Sequence, residues 1–222
     1  MTDAVLPRRA RLITLEGGEG AGKSTALATV RACLEQAGLP LLVSREPGGT
    51  PLAEQLRAMV LHASREQAAD ERLGAPAELL MVFAARAQHV AGVIDPALAA
   101  GQWVLCDRFT DSSFAYQGGG RGLDPAWIAD LERRVVGYVP GLTLWLDVPV
   151  AVGRARVQGR GGVPDAIERE QDDFFERVHA AFAARMAADP QRFVRIDAAQ
   201  PLEAMVAQVQ AAVTAYLARV TA

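Results

Sequence analysis

The octapeptide Gly17-Gly18-Glu19-Gly20-Ala21-Gly22-Lys23-Ser24, followed by Thr25, constrains this chain more than any other stretch. It fits the pattern G-x-x-x-x-G-K-[ST] in full. Before it, Arg11-Leu-Ile-Thr-Leu-Glu16 is short, apolar and β-branched, and reads as a buried strand. After it, from Lys23 to Gln36, residues Leu27, Val30, Cys33 and Leu34 share one helical face, with Gly38 just past the end. A strand that turns through glycines into a helix aims backbone N–H groups and the helix dipole at one point, where they cradle phosphate. The lysine ammonium then reaches the β- and γ-phosphates, and the Ser24 hydroxyl suits Mg²⁺. The expectation is a nucleoside triphosphate site with Mg²⁺, built on Gly17 to Thr25.

Composition sharpens this reading. Of 23 basic residues only Lys23 is a lysine, and asparagine is absent. GC-rich coding depletes both residue types, so the one lysine that remains marks a position where an ammonium point charge is needed. A net charge of -3 and a pI near 5.7 argue against a protein that coats nucleic acid. The longest apolar stretch, Leu79 to Ile94, is interrupted by Arg86 and His89, which argues against a membrane span. The start MTDAVLPRRARL has no apolar h-region. Cys33 and Cys106 are too few for a disulfide framework and read as buried apolar residues of a reducing, cytoplasmic setting.

Along the chain, further short strands are predicted at Leu39–Ser44, Trp103–Cys106, Leu142–Asp147 and Phe193–Asp197. Between them run helical patterns: one after Thr50 with Leu52, Leu56, Met59 and Val60 on its apolar side, and a long one from Pro76 to Ala100 with a kink near Pro96. Others follow Asp124 (an N-cap before Pro125) and Pro149, run from about Asp165 to Ala188, and start at Pro201. Residues 65–75 read as a polar connection, Gly118–Gly122 as a loop, and Gly159–Pro164 as the most flexible stretch. Strands alternating with helices mean a parallel sheet covered on both faces. The predicted architecture is α/β: one domain, 1–222, with a three-layer, doubly wound, five-stranded parallel sheet and a short flexible lid over about 154–169.

A phosphate-binding loop alone names no reaction. Here no apolar strand ends in Asp-Glu; Val104-Leu-Cys-Asp107 ends in Asp107-Arg108. Arg45, Arg57, Arg86 and Arg108 fall after strands or on helices at the end of the sheet where ligands bind, which suits a second phosphate group. His62, His89 and His179 have no metal-like spacing and read as surface or helix residues. Trp103, Trp127, Trp145, Phe174, Phe175 and Phe182 read as core.

With these residues in place the chain resembles the thymidylate kinases, in their bacterial subtype, among the P-loop nucleoside monophosphate kinases. The resemblance rests on Glu19 within the glycine loop, Arg45-Glu-Pro-Gly-Gly-Thr50, Phe83-Ala-Ala-Arg86, and Asp107-Arg-Phe followed by Ser112-Ser-Phe-Ala-Tyr-Gln-Gly118. It implies transfer of the γ-phosphate of ATP to dTMP with Mg²⁺, by a homodimer that uses neither nucleic acid nor a membrane. It implies that Glu19 accepts the 3′-OH of the acceptor sugar and that Arg57 and Arg108 clamp the acceptor phosphate, supported by Arg45 and Glu46. Arg86 would donate to thymine O4, Ser113 and Gln117 would serve the other polar edge of the base, and Tyr116 would exclude a ribose 2′-OH. Arg154, Arg156, Arg160 and Arg169 would act from the lid, on the transferring phosphoryl group or on adenine. Two positions depart from the family pattern. The aromatic residue four before Arg86 is Val82 here, so either Phe83 swings in or the pocket has an aliphatic wall; and the lid arginine position is Ala166, with Arg160 as the substitute. Two alternatives stay open: another nucleoside or nucleotide kinase of the same fold, or a P-loop ATPase or switch acting on a protein partner.

Overall fold

The structure, a computed structural model, describes residues 8–66, 73–159, 161 and 165–221. Five parallel strands, β1 (Leu12–Gly17), β2 (Leu41–Arg45), β3 (Trp103–Asp107), β4 (Leu142–Asp147) and β5 (Phe193–Asp197), line up in the order β2-β3-β1-β4-β5. The alternation of strand side chains divides the core between two faces. Ile13, Leu15, Leu105, Leu142, Leu144 and Leu146 pack on one face with α1 (Lys23–Gln36) and α9 (Leu202–Thr221). Leu12, Val104 and Cys106 face the other side, against Val90, Ile94, Ala97 and Leu98. Trp145 shares that side with Phe174, Phe175, Val178 and Phe182 of α8 (Asp172–Ala188). The expected three-layer, doubly wound sheet is therefore present. After β1 the chain builds β2 and β3 on one side of it and β4 and β5 on the other, so the carboxyl ends of the central strands open into a crevice.

The remaining helices are α2 (Pro51–Glu66), α3 (Ala75–His89), α4 (Asp95–Ala99), α5 (Thr110–Ser113), α6 (Pro125–Val135) and α7 (Val150–Gln158). Asp124 caps α6 as expected, its Oδ1 accepting the Ala126 N–H at 2.8 Å. Several sequence expectations are corrected. Helix α2 buries Ala53 and Val60, two turns apart, and turns Leu52 and Met59 outward. The kink near Pro96 is a π-helical turn over Val90–Ile94, just before the proline that cannot donate back. Gly118–Gly120 are not a loop; they end a π-helical segment, Phe114–Gly120, that continues α5. Gly119 and Gly120 are glycine because α8 lies against them: a Cβ on Gly119 would sit 2.7 Å from both Ala181 Cβ and the Arg177 carbonyl, and one on Gly120 would strike the Phe174 ring. Helix α8 starts at Asp172, because residues 165–170 form a turn closed on itself, with Asp165 Oδ1 accepting the Ile167 and Glu168 N–H groups.

The run Ala75–Ala99 is long and apolar enough, by length and composition, to cross a bilayer, contrary to expectation. Half of its apolar 18-residue window is buried inside the fold, and Arg86 and His89 are themselves buried, so it serves here as a core helix. Among the described residues both cysteines are free; Cys106 is buried and Cys33 half-buried. Much of the predicted polar connection lies outside the described residues, as do Arg160 and residues 162–164 of the predicted lid.

Candidate active site

Pairing at the carboxyl ends of the strands sets Asp107 beside both Leu15 and Arg45, and Gly17 beside Leu146. A cleft of about 650 Å³ opens there, running from the glycine loop to α3. Gly20 through Thr25 line its phosphate end. The loop can turn because Gly20 has φ 71 and lies so close to Gly153 of α7 that a Cβ would strike its carbonyl. Gly17 and Gly18 form the near limb of the loop, and Lys23 Nζ curls back to donate to their carbonyls at 3.2 and 3.0 Å. Burial, and after it the Arg108 guanidinium, push the Lys23 ammonium down to about 8, against the pull of Glu19 and Asp107.

Arg108 follows β3 in the left-handed region, φ 69, a strained conformation for a residue with a side chain. The strain directs its guanidinium across the cleft, where it donates to the Gly17 carbonyl at 2.9 Å and to Glu19 Oε1 at 2.7 Å. It also lies 4.9 Å over the Tyr116 ring. Burial pushes the Tyr116 phenol up, so it keeps its proton and donates to Glu19 Oε1 at 3.1 Å. Glu19 is thus held between Arg108 and Tyr116, at the boundary of the two halves of the cleft.

At the far end α3 presents Val82 and Arg86, four apart and so on one face, to the cleft. Phe83 turns into the core with Leu79, Phe114 and Ile128, and the Arg86 guanidinium lies 4.6 Å over its ring. Of the two residues left open by the sequence, Val82 is the one on the wall. Arg86 donates from Nε to Glu46 at 2.6 Å, from a terminal nitrogen to Ser113 Oγ at 3.0 Å, and from the other to the Phe109 carbonyl at 3.1 Å. Gln117 is held by Glu78, which accepts from its amide at 2.9 Å. Arg57 reaches the cleft from α2 and donates to the Pro47 carbonyl at 2.9 Å.

Not every expected residue comes to this place. Arg45 points away and pairs with Glu54 at 2.9 Å on the exposed surface. Arg154 lies outside the cleft, because Asp172 and the Glu170 carbonyl hold it at 2.7 and 3.0 Å against Phe175. Arg156 does line the cleft, donating to the Ala198 carbonyl at 2.8 Å and the Gly20 carbonyl at 3.3 Å. Arg160 lies outside the described residues. The turn at 165–170 closes one wall with Asp165 and Ile167, tied to α2 by the Ala166 N–H on the Leu61 carbonyl at 3.0 Å.

Two acids at the site have no role that the sequence assigns: Glu16, which no motif marks, and Asp107, which stands only as part of the Asp107-Arg-Phe motif. Glu16 is fully buried, accepts the Phe109 N–H at 2.7 Å and the Ser112 hydroxyl at 2.6 Å, and so fixes the segment that carries Arg108. Burial, then the charge of Asp111, push its carboxyl up to about 8. A charged residue inside an otherwise apolar strand is the one signal that could have found it. Asp107 lines the cleft with Oδ1 buried and without a hydrogen-bond partner among the described residues. His89 is a helix residue, on α3, but buried completely and not at the surface; His179, also on a helix, pairs with Asp147 at 2.6 Å.

Comparison with known proteins agrees with this arrangement. The family model described as thymidylate kinase matches residues 15–209. The thymidylate kinase of Alkalilimnicola ehrlichii is 53% identical over 213 residues, covering 95% of this chain and 95% of that protein. That of Teredinibacter turnerae is 51% identical over 208 residues, 93% of this chain and 98% of that protein. That of Pseudomonas fluorescens strain Pf-5 is 56% identical over 199 residues, 89% of this chain and 90% of that protein. A match of this extent, on a chain whose glycine loop, strained Arg108 and Arg86 all open on one cleft, means that it belongs to the thymidylate kinase family.

Proposed function

We propose that the chain transfers the γ-phosphoryl group of ATP to dTMP, giving dTDP and ADP. The observation that carries this is the single continuous cleft, with a phosphate-cradling loop at one end and Arg86 with Gln117 at the other. ATP lies with its phosphates in the loop, against Lys23 and the start of α1. The dTMP base enters between Val82 and the Arg86–Gln117 edge, and Arg86 donates to thymine O4. Ser113, which accepts from Arg86, lies on the same wall. Glu19 takes the sugar 3′-OH, and Tyr116 fills the space a 2′-OH would need. Arg57 and Arg108 hold the acceptor phosphate, with Glu46 behind Arg86; Arg45, paired with Glu54 on the surface, takes no direct part.

Such a transfer needs no covalent intermediate; positioning and neutralisation of charge carry the rate. The donor set fits Mg²⁺: Ser24 lines the loop, and Asp107, whose Oδ1 is buried without a hydrogen-bond partner among the described residues, lines the same cleft. When bound, Mg²⁺ offsets negative charge on the β- and γ-phosphoryl oxygens. Residues 154–169 act as a lid, in which Arg156 and Arg160 serve to neutralise charge on the transferring phosphoryl group and the wall at Asp165 and Ile167 excludes water. Arg154, held at the base of the lid, steadies it instead of touching nucleotide. The enzyme works in the cytoplasm and as a homodimer; the dimer is supported by Leu52, Met59 and Leu80, exposed on the packed helices α2 and α3.

A coupled assay of ADP release across a panel of nucleoside monophosphates tests this. dTMP is expected to give the highest kcat/KM, with little ADP formed when no acceptor is present. ADP release that ignores the acceptor would make the chain an ATPase or switch; a better acceptor than dTMP would make it another nucleotide kinase. In the same assay, Tyr116→Ala should lower the preference for dTMP over ribothymidine monophosphate on the order of tenfold.

A further inference from the structure

At the base end of the cleft a buried line of polar groups runs from Arg86 through Glu46 and His89 to Ser44. Ser44 Oγ lies 2.6 Å from His89 Nε2, His89 Nδ1 lies 3.0 Å from Glu46 Oε1, and Glu46 Oε2 accepts from Arg86 Nε at 2.6 Å. His89, Glu46 and Arg86 are 0, 2 and 2% exposed. Building on the reading of Arg86 as the group that reads the base, we propose that His89 is a positioning residue: it fixes Glu46, and through it Arg86, and so sets the discrimination between thymine and cytosine.

The direction of each bond follows from what its atoms can do. A carboxylate oxygen only accepts, so His89 Nδ1 donates to Glu46; in the neutral ring Nε2 then accepts the Ser44 hydroxyl proton. The ring is therefore held at both nitrogens, by β2 through Ser44 and by Glu46 just beyond that strand. Its position is also fixed sterically, since a Cβ on Gly49 would strike it. His89 and Arg86 stand three apart on α3 and share a helix face, so one carboxylate spans both.

Glu46 spends one oxygen on each partner. Without the Nδ1 donor its Oε1 becomes a buried acceptor with no satisfied bond, and the carboxylate is free to turn. Arg86 then keeps Ser113 and the Phe109 carbonyl but loses the fixed contact at Nε that completes the definition of its plane. That plane matters for the base. Thymine presents an acceptor at C4, whereas cytosine presents an amino donor there, so a rigidly aimed Arg86 donor accepts one and repels the other. A guanidinium that can swing away repels cytosine less.

The test compares kcat/KM for dTMP with that for dCMP in the parent, Arg86→Met, His89→Leu and His89→Asn enzymes, together with KM for ATP and the thermal midpoint. His89→Leu keeps apolar bulk and removes both ring nitrogens; His89→Asn is smaller but keeps a donor close to where Nδ1 stands. The dTMP/dCMP ratio should fall on the order of tenfold in His89→Leu and stay within about threefold of the parent in His89→Asn, with KM for ATP unchanged in both. A purely structural role orders the variants by lost packing and moves the midpoint without moving the ratio. An unchanged ratio in His89→Leu, or an equal fall in His89→Asn, overturns the role of His89. Should His89→Leu fail to fold, His89→Gln, whose amide reaches Ser44 but leaves no donor at the Nδ1 position, takes its place. The same fall is expected there, and an unchanged ratio overturns the role equally. Arg86→Met separates the two levels. If it still discriminates, the base-reading assignment fails and this inference with it; if it does not, while His89→Leu does, only the inference about His89 fails.

Discussion

Lys23 shows what a residue-scale constraint looks like in this chain. Every other basic residue is an arginine. At position 23 the side chain must fold back on its own loop, and its ammonium meets the Gly17 and Gly18 carbonyls at once. A compact charge with three donors on a flexible stem can do that and still turn to phosphate; a planar fork of five donors in a fixed geometry cannot. Lys23→Met should lower kcat about a hundredfold or more, as for loss of other preorganised charges in phosphoryl transfer. Lys23→Arg should fail nearly as badly, although it preserves the charge. Steady-state kinetics at saturating dTMP, with circular dichroism to confirm folding, decides it. A near-normal Lys23→Arg enzyme would mean that charge alone is needed and that geometry is not.

At the scale of elements, the contact between α8 and the π-helical segment Phe114–Gly120 joins stability to function, because that segment carries Tyr116 and Gln117. Gly119 meets the α8 backbone at Arg177, which cannot give way as a side-chain tip could. Gly119→Ala should therefore cost about 1–3 kcal/mol in denaturant unfolding and, by displacing Tyr116, raise KM for dTMP more than KM for ATP. Equal stability and equal KM values would show that the two elements separate without loss. The same contact marks the limit of what the sequence makes legible. Gly118-Gly-Gly reads as a loop because glycine reports a missing Cβ without naming what needs the space. The strands and the phosphate loop are legible because they are local: apolar β-branched runs, a glycine pattern, a lysine. Arg86 and Arg108 are legible through the motifs around them. Glu16, His89 and the outward turn of Leu52 and Met59 are not, since each depends on a partner more than 25 residues away or on which face the neighbouring helix covers. Arg154 escapes the sequence for a related reason: spacing puts it near the phosphates, but its ion pair with Asp172, at the start of the next helix, draws it away from the cleft.

Over the whole molecule, two buried acids make stability depend on pH in opposite senses. Asp111 is fully buried at the start of α5 and ties that helix to α8 and to the turn before β5, accepting from Arg192 at 2.6 and 2.9 Å and from Arg185 at 2.8 Å. Burial alone would raise its pKa, but Arg192 and then Arg185 outweigh burial and hold it below the ordinary 3.8. Its folded value lies below its unfolded one, so the stability it contributes is present above the unfolded value and is lost as pH falls through the folded one. Glu16 is the reverse. Burial, then the Asp111 charge, raise it from 4.5 to about 8, so across that window the folded state holds a proton that the unfolded state has released, and stability falls as pH climbs. Glu16→Gln keeps an acceptor for the Phe109 N–H and removes the titration. Its thermal midpoint should gain on the parent by on the order of 5 °C between about pH 5 and about pH 8. Asp111→Asn should instead lose most of its stability at neutral pH, where it strips the arginines of their partner, and differ least from the parent in acid. A parent and a Glu16→Gln protein whose midpoints run parallel from pH 5 to 8 would mean that Glu16 is already ionised in the fold. The Phe109 and Ser112 donors would then be supporting a buried carboxylate under Arg108, not a neutral carboxylic acid.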